Sequence, residues 1–388
     1  MFLAPVRGMV AAADIVAFVL LVGGTFGVLE RSGALEAGIS ALVGRLQRRA
    51  GVLIPVSMLA FAVGGAVFGM SEEVIPFVLL FVPLMRGLGY PRIIAAAVPL
   101  VGAGVGFAGA MLNPFTVGVA QAIAGLPPMS GWPYRTFVWV VCCVVGIVYV
   151  ARMAAQLRTA PPEVGEDQVE KTSVTPAQAL VLLAFAATIV FIGVGVVRWE
   201  WYVEEIAAAF VAMGILAALL LRLDSHATCE AMIHGANALL PAALVIGLAR
   251  GIVLLAADMH VLDTTLHGAA LAMEGLHPTV SVTGMFTFQL LFNILVPSGS
   301  GQAALTMPIM APLSDLIGLN RQIAVLAFQL GDGFTNLITP TSAVLLGSLH
   351  AAGVGFDEWV RRMWKLQLWL FLAGVAVLWG ALAIGYGG

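Results

Sequence analysis

Two adjacent glutamates, Glu72 and Glu73, follow Ser71 between two apolar stretches of the chain. A carboxylate in such surroundings is costly to bury unless it is protonated, paired or bound to a cation. Neighbouring side chains on a helix point about 100° apart, so both can reach one ligand only where the chain is unwound. We expect one of them to bind a cation, a proton or the amino group of a ligand. The structural alternative makes Ser71 an N-cap with two acids in the first helical turn.

A second polar segment, residues 297–302, also separates two apolar stretches and reads Pro-Ser-Gly-Ser-Gly-Gln. It offers hydroxyls, one amide and backbone N–H groups at the start of an apolar helical run. Because the N-terminus of a helix favours anions, a ligand carboxylate could bind there. The predicted binding residues of this segment are Ser298, Gly299, Ser300, Gly301 and Gln302. The alternative is that the glycines only permit a tight turn.

Oxygen-bearing side chains also surround two places where glycine and proline interrupt an apolar helix. Asn113 marks the first interruption, and Thr341 and Ser342 follow the second, so these three are assigned to ligand binding. Four further oxygen donors at the second interruption are predicted to bind a cation: Asp332, Thr335, Asn336 and Thr339. Oxygen-rich unwound backbone suits a hard cation such as Na⁺. The alternative for Asp332 is that it caps a helix end.

Arg250 is the basic residue that lies well inside an apolar span. An arginine at membrane depth usually faces a cavity or an acidic partner. It could attract a ligand carboxylate, or it could pair with Asp14 or Asp315. We expect the structural pairing.

The composition assigns the chain to the membrane. Of its 388 residues 61% are hydrophobic and only 10% are charged, and the mean hydropathy is +1.02. A soluble domain carries about 25% charged residues. The net charge of −3 excludes a basic surface for nucleic acid, and three cysteines without a framework spacing exclude a disulfide-built chain. We therefore expect an all-α polytopic membrane protein.

The polar residues lie in segments that are more interrupted than plain spans. Residues 51–89 and 280–318 each hold two apolar arms around a polar tip, which predicts two helical hairpins that re-enter the membrane. Residues 92–126 and 321–352 predict transmembrane helices that are broken at proline. Other spans are predicted at residues 9–29, 134–153, 177–198, 204–222, 238–258 and 366–386, with a short surface helix at 356–365.

The chain also repeats itself at an offset of 229 positions. The identical pairs are Ser71 and Ser300, Pro83 and Pro312, Leu84 and Leu313, Gly89 and Gly318, Arg92 and Arg321, Ile94 and Ile323, Ala95 and Ala324, Gly102 and Gly331, and Gly104 and Gly333. The repeat aligns Ala103 with Asp332, so one strong ion site and one weaker are permitted. The topology that places most Lys and Arg residues in the cytoplasm inverts the two units.

Inverted repeats with broken helices are typical of secondary transporters, whose site lies between the repeats near the membrane midplane. We predict a first repeat at residues 1–153, a cytoplasmic linker at 154–176 and a second repeat at 177–388. An enzyme is not expected, because the chain has no zinc-binding His-Glu-x-x-His motif, no paired membrane aspartates and no serine with a suitable histidine partner.

Several stretches resemble the YfcC family, relatives of the DcuC anaerobic C4-dicarboxylate carriers. The resemblance extends over essentially the whole chain and is carried by residues 7–14, 69–76, 102–109, 113–115, 297–308 and 331–336. It implies a scaffold domain and a moving transport domain of two hairpins and two broken helices, commonly in a homodimer. The family usually has an additional helix and an external loop at its start, and this chain departs from the family pattern there.

The prediction from residues and resemblance together is a secondary active transporter or exchanger in the cytoplasmic membrane. It would move a small carboxylate-bearing solute, a C4-dicarboxylate or an amino acid, with Na⁺ or H⁺ as coupling ion and no cofactor. One alternative is a basic amino acid antiporter, and another, of a different class, is a passive channel. The expected partners are the solute, the lipid bilayer and a second copy of the chain, with no nucleic acid.

Overall fold

The computed structural model describes residues 2–34, 37–38, 50–127, 129–159, 175–199, 201, 203–259, 264, 268, 271 and 275–387. Within these ranges the regular secondary structure is helical, with no strand. Five of the described helices are long and apolar enough to cross a membrane: Ala13–Arg31, Trp132–Leu157, Val203–Leu220, Pro278–Leu295 and Phe356–Ala383. The prediction of an all-α membrane protein is confirmed. Residues 160–174 of the predicted linker lie outside the described residues.

The described helices lie in both halves of the chain. The first half holds α1 (Ala4–Ala11), α2 (Ala13–Arg31), α3 (Ala50–Phe68), α4 (Val74–Gly87), α5 (Arg92–Ala108), a π-helical turn (Pro114–Gly118), α6 (Val119–Ile123) and α7 (Trp132–Leu157). The second half holds α8 (Pro176–Trp199), α9 (Val203–Leu220), α10 (Ser225–Asp258), α11 (Pro278–Leu295), α12 (Gly299–Leu316), α13 (Arg321–Thr335), α14 (Ala343–Ala352) and α15 (Phe356–Ala383). The polar segments named above lie at the junctions of α3 with α4, α5 with α6, α11 with α12, and α13 with α14, and some of their residues belong to the adjoining helices.

Helices α1, α2, α8, α9 and α10 form one packed body, which we call the scaffold. Helices α2 and α10 approach each other so closely that only glycine fits between them. A Cβ atom on Gly27 would collide with the carbonyl oxygen of Ala231, and one on Gly235 would collide with that of Gly23. Small residues of this kind let helix backbones pack directly against each other in a membrane.

Ion pairs at the two ends of this helix pair show that α10 runs antiparallel to α1 and α2. Arg31 lies 2.8 Å from Glu230 at one end, and Arg7 lies 2.5 Å from Asp258 at the other. All four side chains are largely exposed, so these pairs contribute little stability and mainly mark the register.

Helices α3 to α7 and α11 to α15 form a second body with its own, larger core, which we call the repeat body. The same packing occurs in it twice. Helices α3 and α4 both pack on α5, with α7 against α3 and α5; helices α11 and α12 both pack on α13, with α15 against α11 and α13. The scaffold takes its helices from both halves of the chain, and so does the repeat body.

Within the first unit, α3 and α5 run parallel. Gly102 packs on the backbone of Met58, and Gly106 packs on that of Ala62, so residue numbers rise together along both helices. Helix α4 lies between them in the chain and returns through a short connection at residues 88–91. Helices α3 and α4 therefore diverge from a common tip, residues 69–73.

The two units keep the same register at the offset of 229. Helices α4 and α12 end at equivalent positions, and so α5 and α13 begin at equivalent positions: Gly87 and Leu316, then Arg92 and Arg321. The chain between them turns on a glycine with positive φ, 83° at Gly89 and 72° at Gly318. Glycine takes this conformation without steric cost, which explains why it occurs in both units.

Helices α5 and α13 cross in opposite directions where each is interrupted. Gly104 packs against Leu337, whereas Ala108 packs against Gly333. Residue numbers thus rise along one helix as they fall along the other. The two interruptions consequently meet in the middle of the repeat body.

Two helices differ from the predicted spans. Helix α15 is continuous from residue 356, so the prediction of a separate surface helix at 356–365 is wrong. The reason is Trp359, which is fully buried and donates its indole N–H to the carbonyl oxygen of Leu337 at 2.8 Å. Helix α10 begins at Ser225, well before the predicted start at residue 238.

Replacing Gly27 by alanine should lower the melting temperature of the detergent-purified protein, because the new methyl group would force α2 and α10 apart. Such overpacking costs about 1–3 kcal/mol. Gly51→Ala is the matched control, since a Cβ at that position meets no atom within 4 Å. Equal melting temperatures for the two variants, measured by intrinsic fluorescence, would contradict the assigned helix contact.

Candidate functional site

A cavity of about 280 Å³ lies where the scaffold faces the tips and interruptions of the repeat body. Ten of the predicted site residues line it: Ser71, Glu72, Glu73, Ser298, Gly299, Ser300, Asn336, Thr341, Ser342 and Arg250. Asn113, Gly301, Gln302, Asp332, Thr335 and Thr339 do not line it. Phe115 and Thr116, which follow Asn113, also line the cavity. Both tips and both interruptions therefore contribute to it.

The first tip is unwound, and this brings Glu72 and Glu73 to the same cavity. Glu73 turns back on the tip, where its carboxylate accepts a hydrogen bond from the backbone N–H of Ser71 at 2.9 Å. Glu73 itself occupies the N-cap position of α4, and no side chain caps that helix. The alternative in which Ser71 is the N-cap is wrong, because residues 71–73 precede the helix rather than form its first turn.

The second tip presents the N-terminus of α12 to the cavity. Ser298 is the N-cap, and its hydroxyl accepts from the N–H of Gly301 at 3.4 Å. Gly299 and Ser300 follow at the cavity wall. Gln302 points away and is fully buried, because its side chain donates to Gln289 at 2.6 Å.

Each interruption ends on a side-chain cap at an equivalent position of the repeat. Asn113 accepts from the N–H groups of Phe115 at 2.9 Å and Thr116 at 3.3 Å, and Ser342 accepts from that of Leu345 at 3.3 Å. These caps supply partners to backbone donors that the broken helices leave free. Asn113 is fully buried behind the tip, so it supports the cavity wall without lining it.

Asp332 lies inside α13 and is completely buried. Its Oδ1 accepts from Asn293 at 2.5 Å and from Asn336 at 2.9 Å. The last turn of α13 is capped by Asn336 instead, so the alternative in which Asp332 caps a helix end is wrong. The carboxylate lies just behind the cavity, and Asn336 connects the two.

The hydroxyls of the other predicted cation ligands already have partners. Thr335 donates to the carbonyl oxygen of Leu290 at 2.9 Å, which directs it towards α11. Thr339 and Thr341 lie 2.8 Å apart, and Thr341 also donates to the carbonyl oxygen of Ile294 at 2.8 Å. These hydrogen bonds fix the loop between α13 and α14 on the end of α11.

Arg250 and Asp14 reach the cavity from the scaffold. Arg250 is exposed and forms no ion pair with Asp14 within the described residues, and Asp315 pairs with Arg321 at 2.6 Å instead. The expected pairing of Arg250 with Asp14 or Asp315 is therefore wrong. The reason is that the Arg250 side chain opens into the cavity, whereas Asp315 lies at the end of α12 beside the start of α13.

Two residues of this region were missed in the sequence. Asn293 is an amide within the apolar run of α11, and Thr116 follows the first interruption; both are buried. A search for isolated polar residues in apolar helices would have found Asn293. Nothing in the sequence distinguishes Thr116 from other membrane threonines, because its position depends on the crossing of the two interrupted helices.

A helical membrane body whose tips and broken helices enclose one polar cavity has the architecture of a membrane transporter. The chain belongs to the DcuC family, the C4-dicarboxylate anaerobic carriers, which it matches over residues 3–383. This family is the one that the sequence resemblance indicated. Because the family consists of carriers, the expectation that the chain is not an enzyme is also confirmed.

Two proteins are similar over most of the chain. The protein named "Putative basic amino acid antiporter YfcC" of Escherichia coli (strain K12) is 38% identical over 397 residues, covering 97% of this chain and 78% of its own. An uncharacterized protein of Haemophilus influenzae (strain ATCC 51907 / DSM 11121 / KW20 / Rd) is 29% identical over 388 residues, covering 96% and 76%. The likeness therefore includes both the scaffold and the repeat body.

A solved structure shares the fold. The YdaH transporter of Alcanivorax borkumensis superposes with a TM-score of 0.52 at 19% sequence identity, covering 99% of this chain and 88% of its own. At that identity the likeness extends to the fold alone.

Asn113→Ala and Ser342→Ala should each destabilise the protein, because each leaves backbone N–H groups of an interruption without a partner. The loss of an N-cap costs about 0.5–2 kcal/mol. Asn113→Ser is the control, since serine is also a good N-cap and the second unit uses it at the equivalent position. Thermal unfolding in detergent measures the effect; an Asn113→Ala variant as stable as Asn113→Ser would refute the capping role.

Proposed function

We propose that the protein is a secondary active transporter or exchanger that moves a small carboxylate-bearing solute across the cytoplasmic membrane. The observation that carries the proposal is the single cavity in which both tips and both interruptions meet, with the scaffold on its other side. The dicarboxylates in the family description support a carboxylate-bearing solute. In the membrane it would act as a multi-pass protein and as a homodimer.

Alternating access is supported by the arrangement of the repeat body. The two units keep one register, and α5 and α13 run in opposite directions where they cross, as an inverted repeat requires. In such a repeat, α3–α4 and α11–α12 would be the two re-entrant hairpins. In such a device the repeat body rocks against the scaffold and exposes the cavity to one side at a time. The close glycine packing of α2 against α10 keeps the scaffold rigid during that motion.

Solute recognition would use both signs of charge in the cavity. The N-terminus of α12 at Gly299 and Ser300, together with Arg250, is suited to a carboxylate. Glu72, Glu73 and the scaffold residue Asp14 are suited to an amino group. The excess of acidic groups in the cavity favours an amino acid over a C4-dicarboxylate as the solute. The name of the Escherichia coli relative makes a basic amino acid antiporter the second candidate.

The coupling ion would be Na⁺ or H⁺, with the second interruption as its binding region. Asp332 and Asn336 lie at the centre of this region, and no cofactor is needed. A passive pore fits less well, because the polar side chains form one compact cluster rather than a continuous stripe across the membrane.

Uptake of succinate and of arginine into proteoliposomes tests the class of the protein. We expect accumulation of one of them only when an ion gradient or an internal counter-solute is present, because an alternating-access carrier returns through a loaded or ion-bound state. Flux that depends on neither the gradient nor the counter-solute would favour the pore instead. Liposomes without protein give the background.

Arg250→Gln should raise KM for the transported carboxylate roughly tenfold or more, because a hydrogen bond to a charged group contributes about 1.5–3 kcal/mol. Glu72→Gln and Glu73→Gln, tested separately, should change the ion dependence of uptake in at least one case. Arg361→Gln is the control, since Arg361 pairs with Asp357 on the surface. Unchanged kinetics and coupling in all three cavity variants would refute the assigned site.

A further inference from the structure

A chain of buried amide side chains ends on Asp332 between α11, α12 and α13. Gln302 donates to the side-chain oxygen of Gln289 at 2.6 Å, and Asn293 donates to Gln302 at 2.8 Å. The same nitrogen of Asn293 donates to Asp332 Oδ1 at 2.5 Å, and Asn336 donates to that oxygen at 2.9 Å. These hydrogen bonds fix the orientation of the carboxylate and present it as an acceptor.

The second carboxylate oxygen, Asp332 Oδ2, is buried and has no hydrogen-bond partner. It faces the second tip, since a Cβ on Gly299 would lie 2.9 Å from it. Thr116 borders the same spot from the first interruption: its methyl group would collide with that Cβ, and its buried hydroxyl has no partner either. The side-chain oxygens of Asn293 and Asn336 are also buried and without partners.

A buried carboxylate needs a compensating charge, and no Lys or Arg pairs with Asp332 in the described part of the chain. Carboxylate, hydroxyl and amide oxygens are the ligands that hard cations prefer. We propose that Asp332, Thr116, Asn293 and Asn336 bind one Na⁺ beneath the second tip, next to Gly299. The proposal rests on the proposed function and deepens it, because it selects the coupling ion and changes its ligands.

The new ligand set differs from the one predicted from sequence. Thr335 and Thr339 use their hydroxyls in hydrogen bonds that hold the loop on α11, so they support the site rather than bind the ion. Thr116 and Asn293 take their place. The site thus joins both units of the repeat body, with one ligand from the first and three from the second.

The repeat predicts a single ion of this kind per chain. The positions equivalent to Asp332 and Asn336 in the first unit are Ala103 and Phe107, which offer no side-chain oxygen. The ion would also affect the solute directly, because Gly299 and Asn336 belong to both the ion site and the cavity wall. Na⁺ bound there neutralises Asp332 and holds the second tip in place for the solute.

Binding of Na⁺ to the detergent-purified protein, without any solute, tests the site. Thermal unfolding is measured in NaCl and in choline chloride at equal ionic strength, and ²²Na⁺ binding is measured by equilibrium dialysis. We expect Na⁺ to raise the melting temperature and to bind with a Hill coefficient near one. No stabilisation and no ²²Na⁺ binding would overturn the proposal.

Variants locate the ion. Asp332→Asn should abolish the Na⁺ effect, and Thr116→Val, which keeps the shape of the side chain, should weaken Na⁺ binding roughly tenfold or more. Thr188→Val is the matched control, because Thr188 in the scaffold donates to its own helix at Ala184. If Asp332→Asn does not fold, Thr116→Val decides; wild-type Na⁺ affinity in that variant would overturn the assignment.

The outcomes also separate this site from the proposed function. Proton-driven uptake by a protein that does not bind Na⁺ would overturn the sodium site and leave the transporter standing. Na⁺ binding that depends on Asp332 and Thr116, in a protein that moves neither succinate nor arginine under any gradient, would support the site and contradict the proposed function.

Discussion

Backbone donors that leave a helix at membrane depth must find partners inside the protein, because the lipid offers none. Both units meet this requirement in the same way at their interruptions. Asn113 and Ser342 cap the segments that follow the two interruptions, and Ser298 caps the helix that follows the second tip. Each of these caps lies close to a tip. The free helix termini therefore converge and enclose a polar cavity. The site exists because the interruptions are stabilised where they cross.

The two bodies divide the remaining tasks between them. In the scaffold, the glycine contacts between α2 and α10 bring the two helix backbones into direct contact. The scaffold nevertheless carries Asp14 and Arg250 to the cavity, where they face the tips of the repeat body. Charged side chains therefore lie on both sides of the boundary between the bodies. A change in the relative position of the two bodies would alter the cavity directly.

The two units share their geometry and differ in their chemistry. At the offset of 229, Glu73 of the first tip corresponds to Gln302, and Ala103 of the first broken helix corresponds to Asp332. One unit thus carries its acid at the tip, open to the cavity, whereas the other carries it on the broken helix, sealed behind the cavity wall. The two units are thus alike in backbone and different in where their acidic side chains lie.

The sequence alone determined the membrane class, the family and the limits of most helices, because hydropathy, proline and glycine act locally. It also located the tips and the interruptions, and ten of the predicted residues came to line one cavity. Only the tertiary structure decided which side chains contact each other. Arg250 does not pair with Asp315, Trp359 is buried in the repeat body, and Asp332 lies beside Asn293 and Thr116. Those contacts depend on which helices cross and in which direction. Hydrophobic periodicity cannot encode that choice, since apolar faces of a membrane helix meet lipid and protein alike.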